Sequence, residues 1–134
     1  MKYFLHRGKR IYLSKIITNF EGSKTMVLDI NGKSYLIEEK QILEDENYKY
    51  YYIKCKELIN DEWGKAFYYE KLETSTIDNM SKTISLVLKE SAMKFNTKKE
   101  AEESLKEIIK ETKKNPYLYD ENNNFIYKFE IVQE

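Results

Sequence analysis

The sequence predicts an α+β fold, an antiparallel β-sheet drawn as a meander and packed against one main C-terminal α-helix. Three observations predict it. Short runs rich in Tyr, Ile, Leu and Val fill the first two-thirds of the chain and suit a pleated surface. Asn31-Gly32, a strong hairpin signal, lies between two such runs. Residues 97–114 carry apolar side chains at helical spacing behind a capping box. At 134 residues the chain is expected to be a single domain, 1–134, with a β-meander part over 1–72 and a strand–helix–strand part over 73–134.

Each element has its own reason. Tyr3-Phe4-Leu5 reads as a strand, and Arg7-Gly8 as the turn after it. Arg10 to Thr18 returns, with Ile11, Leu13 and Ile16 on one side and Tyr12 on the other. Asn31-Gly32 predicts a two-residue type I′ turn, because both central residues of that turn need positive φ. The turn would set Ile30 opposite Lys33, Leu28 opposite Tyr35 and Met26 opposite Ile37, so two of three pairs are apolar on one face. Residues 38–46 form a polar connection with a small apolar plug, Ile42-Leu43. Tyr48 to Leu58 is the next strand, with Tyr50, Tyr51 and Tyr52 in a row, so both faces carry aromatics. Residues 60–64 read as a hairpin loop, and Ala66-Phe67-Tyr68-Tyr69 as the strand that returns. Residues 73–82 are loop-like. Residues 83–88 fit a strand, residues 86–92 equally fit one helical turn, and periodicity in so short a run does not choose.

The helix has start and stop signals. Thr97 offers its hydroxyl to the amide three residues on, and Glu100 reaches back. Ala101, Leu105, Ile108, Ile109 and Thr112 form one stripe, which should close the core. Lys110, Lys113 and Lys114 suit the negative end of the helix dipole, and Asn115-Pro116 ends the run. A turn at 120–124 leads to a last strand in which Phe125, Tyr127, Phe129 and Ile131 alternate with Lys128 and Glu130.

Composition excludes several classes. The single Cys55 makes no intramolecular disulfide, and there is no CxxC or Cys/His cluster for zinc. No stretch approaches about 18 apolar residues, so no membrane span is expected. The apolar run at the start is too short for a signal peptide, and the cytoplasm is the expected compartment. The 21 Lys against two Arg and 12 Tyr against three Ala reflect AT-rich coding, which cautions against reading the lysines as a nucleic-acid signature. Zero net charge hides an asymmetry: residues 1–35 hold seven basic and two acidic groups, residues 36–73 six and ten, residues 74–134 ten and eleven. That segregation either steers an anionic ligand or charged partner or is compensation between neighbouring strands.

Catalytic groups are sparse. His6 with Cys55 would make a base and nucleophile, yet no orienting third group or Gly-rich oxyanion turn accompanies them, and a strand cysteine is usually a small buried hydrophobe. The acids Glu38/Glu39, Glu44/Asp45/Glu46 and Asp61/Glu62 read as a solvated edge rather than a converging site. No phosphate loop, dinucleotide fingerprint, nucleophile elbow or HExxH is present. The expectation is no enzyme, no cofactor and no metal.

Two groups of residues are binding candidates. Arg7, Lys9 and Arg10, with Lys15 further along, could hold phosphate or nucleic acid, since both arginines of the chain lie in one Gly-containing turn. An ordinary exposed turn explains them as well. Tyr48, Tyr50, Tyr52 and Tyr68, with Trp63, could form a protein-binding surface. Cross-strand aromatic packing or stacking on nucleobases would use the same rings.

The segment Ala92-Met93-Lys94-Phe95-Asn96-Thr97-Lys98-Lys99-Glu100-Ala101, followed by a helix and by Phe129 to Glu134, resembles the end of small accessory proteins of phages and mobile elements in low-GC Gram-positive bacteria. The resemblance covers about the last 45 residues. Residues 8–43 resemble the strand meander of a small SH3-like half-barrel. Neither carries catalytic residues. The first implies an origin in a phage or mobile element; together with the sparse catalytic groups and the aromatic, charge-segregated surface, it leads to the expectation of a non-enzymatic binding protein that inhibits a host-defence protein, anti-CRISPR-like or another counter-defence, in the host cytoplasm, with a defence nuclease complex as partner. The alternative is a nucleic-acid or nucleotide-binding module using the basic turn and strand tyrosines. A sheet aromatic on both faces is consistent with a homodimer or with intramolecular cover.

Overall fold

A computed structural model describes residues 1–17 and 24–134. The chain is α+β, and its contacts divide it into two units, Met1–Lys49 and Tyr50–Glu134. Thr18, the expected end of the second strand, lies outside the described residues.

In the first unit β1 (Lys2–His6) and β2 (Lys9–Ile17) pair antiparallel, with His6 opposite Lys9. Arg7 and Gly8 have φ of 51° and 76°, so this two-residue connection has the type I′ signature. Adding β3 (Lys24–Asp29), β4 (Ser34–Glu38) and the short β5 (Leu43–Glu44) gives a sheet of order β4-β3-β2-β1-β5. A bulge at Ser14 resets the alternation of β2, so Ile16 joins Ile11 and Leu13 on the core side. The core gathers Phe4, Leu13, Val27 and Ile37, with Ile42 against them and Leu43 exposed. The link from β4 to β5 explains a curved sheet. Four inter-strand steps span about 19 Å if flat, whereas the five-residue advance from Glu38 to Leu43 reaches at most about 18 Å fully extended. A 3-10 turn at Glu39–Gln41 shortens it further.

The turn at Asn31-Gly32 differs from expectation. Gly32 has a φ of 84° and Asn31 is not left-handed. Asp29 and Lys33 close the loop, with Asp29 N–H donating to Lys33 O at 2.9 Å and Gly32 N–H to Asp29 O at 3.0 Å. The result is a three-residue loop with glycine in the left-handed position. Its cause is Asp29, whose Oδ1 accepts from the amides of Asn31 and Lys33, both at 2.8 Å. The register slips by one: Val27 faces Tyr35, Thr25 faces Ile37, and Met26 faces Leu36. Every side chain of β3 therefore changes face relative to the expected pairing. Val27 and Thr25 are buried, while Met26 is exposed.

In the second unit β6 (Tyr51–Ile59) is the longest strand. β10 (Tyr127–Gln133) runs along one side of it. β7 (Glu62–Trp63) and then β8 (Phe67–Thr74) share the other side, and β9 (Lys82–Val87) pairs with β8. β6 starts three residues later than Tyr48, the expected start. The loop expected over 60–64 is tighter: Asn60 and Asp61, at φ 50° and 66°, make the turn, and Glu62 already pairs with Ile59. Residues 83–92 contain both proposed structures in succession, β9 and then a 3-10 turn at Lys89–Ser91.

The helix α1 (Lys98–Lys113) begins as its cap predicts. Thr97 Oγ1 accepts the Glu100 amide at 3.2 Å, and Glu100 Oε2 accepts the amide of Asn96 at 3.1 Å, one residue further back than a standard capping box. Ala101, Ile108 and Thr112 are buried, and Ile108 joins Ile53, Cys55, Tyr69 and Ile84 in the core, flanked by Leu105, Phe129 and Ile131. Burying a side chain of this size stabilises by about 2 kcal/mol. Asn115 ends the helix: its Oδ1 accepts the Tyr117 amide and its Nδ2 donates to Lys82 O on β9. Among the described residues no helix is long and apolar enough to cross a membrane.

Candidate functional site

Strand alternation builds two unlike faces on the second sheet. Ile53 and Cys55 of β6, with Phe129 and Ile131 opposite them on β10, belong to the core cluster that includes Ile108 of α1. The intervening residues Tyr52, Lys54, Lys56 and Leu58 take the other face. Across from them stand Val132, Glu130 and Lys128 of β10, Tyr68 of β8 and Trp63 of β7. Three of the five tyrosine–tryptophan candidates, Tyr52, Tyr68 and Trp63, therefore share one face.

One end of this face is a closed polar-aromatic network. Glu134 carries it: Lys54 Nζ lies 2.7 Å from Oε1, the Tyr68 hydroxyl donates to Oε2 at 2.5 Å, and Lys89 Nζ lies 3.7 Å away. The hydrogen bonds from Lys54 and Tyr68 hold the Glu134 carboxyl below its ordinary range. The same bonds raise Tyr68 and Lys54. Tyr52 meets Tyr68 edge-on at 5.7 Å, and Lys89 lies 5.4 Å from the Tyr52 ring. Tyr52 is only 5% exposed, and burial raises its hydroxyl pKa. Its ring thus supports its neighbours from within. Tyr50, just ahead of β6, has Lys94 5.3 Å from its ring, and its carbonyl accepts the Glu134 amide.

The other end is open. Lys56 and Lys128 stand directly opposite each other, a like-charge pair that costs stability in a sheet. Lys128 Nζ sits 5.8 Å from the ring of Trp63, which is 43% exposed. A depression of about 330 Å3 here is lined by Lys54, Lys56, Ala66, Lys128, Phe129 and Glu130. Lysines beside an exposed indole favour a partner that brings negative charge and flat apolar area.

The first unit places the basic candidates apart. Arg7 is exposed in its turn, and Lys9 and Arg10, adjacent on β2, point to opposite faces. Arg10 is engaged: Nη1 lies 3.0 Å from Asp45 Oδ2, and the guanidinium lies 4.6 Å from the Tyr3 ring. Asp45 also accepts the Tyr12 hydroxyl at 2.7 Å and the Asn47 amide at 3.0 Å. These partners, the Tyr12 bond foremost, hold its carboxyl below the ordinary value. Lys15 is exposed just past the bulge. Tyr48 belongs to this unit too, with its ring 4.8 Å from that of Tyr12.

The suspected nucleophile and base have other surroundings. Cys55 is buried, and desolvation pushes its thiol up to about 12, so a thiolate is scarce at neutral pH. His6, in the first unit, packs its ring near Phe4 and Tyr35. No group of three or more His, Cys, Asp or Glu among the described residues is placed to hold a metal ion.

Sequence reasoning missed Lys54, Lys56, Lys128 and Glu134 as members of the aromatic face. The alternation of Lys54 and Lys56 with Ile53 and Cys55 was visible, but their partners follow only from the β6–β10 register. The chain matches no protein family, no curated protein and no solved structure.

Proposed function

We propose that this is a non-enzymatic binding protein of phage or mobile-element origin that inhibits a host-defence protein through the aromatic, lysine-rich face of its second sheet. The observation that carries the binding reading is the open end of that face. There, exposed Trp63 lies beside Lys128, and Lys128 faces Lys56 at a cost to the sheet. A stability cost retained on a surface is accounted for when an acidic partner neutralises it. The counter-defence role rests on the resemblance of residues 92–101 and the helix after them. The test is phage plating on a low-GC Gram-positive host armed with a nuclease-based defence. Expression should restore plating, and Trp63→Ala with Lys128→Ala should abolish the effect without lowering the melting temperature. No restoration, or restoration that survives both substitutions, refutes the reading.

A second reading has its own observation. Arg7 and Lys9 are exposed and have no ion pair among the described residues. Oligonucleotide binding that weakens steeply with salt and is lost in Arg7→Ala would favour a nucleic-acid module.

A further inference from the structure

We propose that β4 is a seam at which two copies of this chain pair edge to edge, antiparallel about Leu36. Among the described residues β4 is the outermost strand of its sheet, with β3 as its one neighbour. Asp29 and Lys33 form a hydrogen-bonded pair, so Val27–Tyr35 and Thr25–Ile37 follow as hydrogen-bonded pairs by alternation. The backbone groups of Ser34, Leu36 and Glu38 therefore point outward. Within Ser34–Glu38 there is no Pro, no bulge and no Lys, and the charge and the 3-10 turn that follow guard only the Glu38 end. The edges of the second sheet differ. β10 carries Lys128 and Glu130, and Asn115 Nδ2 occupies the Lys82 carbonyl on β9.

The side chains point to the occupant. Ile17, Met26 and Leu36 are cross-strand neighbours on one face of three adjacent strands, at 38%, 43% and 55% exposed. This apolar row ends at the bare edge. A two-fold axis at Leu36 sets Leu36 against its own counterpart and Ser34 against Glu38 of the second copy. It continues the row across the seam to six residues. That register also matches the outward backbone groups, because a central pair on Leu36 is a hydrogen-bonded one. The Glu38 amide already donates to Gln41 Oε1 at 2.8 Å and its carbonyl opens the 3-10 turn at Glu39–Gln41, so the seam is built from the reciprocal Leu36 bonds. So short a contact makes a weak, concentration-dependent pair.

Sedimentation across a wide concentration series, combined with amide exchange followed by NMR, tests this on the full chain. The mass should rise from 16.2 kDa toward twice that value, and the Leu36 amide should become slow to exchange as it does. Leu36→Lys should keep the chain at the single mass. Leu5→Lys, a change at an equally exposed residue on an inner strand, should leave the doubling intact. A single mass at every concentration overturns the proposal, as does a doubled species with a fast Leu36 amide or a doubling that survives Leu36→Lys.

Discussion

Replacing Asp29 by alanine should destabilise the first unit by about 2–3 kcal/mol. The carboxylate accepts two amides, those of Asn31 and Lys33, both at 2.8 Å, and the residue is only 7% exposed. A hydrogen bond to a charged group contributes about 1.5–3 kcal/mol when shielded from water, and water reaching this hairpin end replaces part of each. The loss also removes what selects the three-residue loop over the type I′ turn favoured by Asn31-Gly32. Asp29→Asn keeps one carbonyl acceptor in place and should cost about 1 kcal/mol. The assay is native-state amide exchange at Val27 and Ile37, which reads the first unit by itself. Trp63 fluorescence during urea unfolding reports on the second. The reasoning fails if Asp29→Ala changes Val27 protection by less than about 0.5 kcal/mol, or if Asn is as damaging as Ala.

Other expectations follow from the second unit and from the carboxylates. Ile108→Ala, at a position 1% exposed, should cost about 3 kcal/mol and lower the urea midpoint read by Trp63. Cys55 should resist a thiol reagent at pH 8 and react fully once urea unfolds the chain; immediate native labelling would contradict its burial. Asp45, Asp78, Asp120 and Glu134 are all held below their ordinary values. For Asp78 the Ser81 hydroxyl is the main cause, and for Asp120 the Asn124 amide. A folded pKa below the unfolded one stabilises above the unfolded value, about 4, and that stabilisation is lost as pH falls through the folded value. Acid titration followed by circular dichroism should therefore show stability declining below about pH 4, with a smaller decline in Asp120→Asn.

What could be read from the sequence was local. Thr97, Glu100 and the apolar stripe specify α1 within its own residues, and the helix begins and ends where they place it. The Arg7-Gly8 turn was equally local. Asn31-Gly32 misled because a neighbour, Asp29, outbids the intrinsic preference of the pair. The same arrangement recurs at residues 120–124, where Asp120 Oδ1 accepts the amides of Asn122 and Asn124, and Asn123 takes the left-handed position of Gly32. The pattern Asp-x-Asn-Gly/Asn is thus a better guide here than Asn-Gly alone. The binding face was harder to read. Grouping the tyrosines by proximity in sequence put Tyr48 with Tyr52, whereas they belong to different units. The partners of Lys54 and Lys56 depend on a strand more than seventy residues away.

That separation has a consequence for synthesis. The hairpins of the first unit join neighbours in sequence, and β5 returns to β1 within the first 49 residues. β6, by contrast, gains the whole of one flank only when β10 arrives. On the ribosome the first unit can reach its native pairing while β6 is still half-clothed. The interval before β10 emerges is when chaperones would find bare backbone to hold.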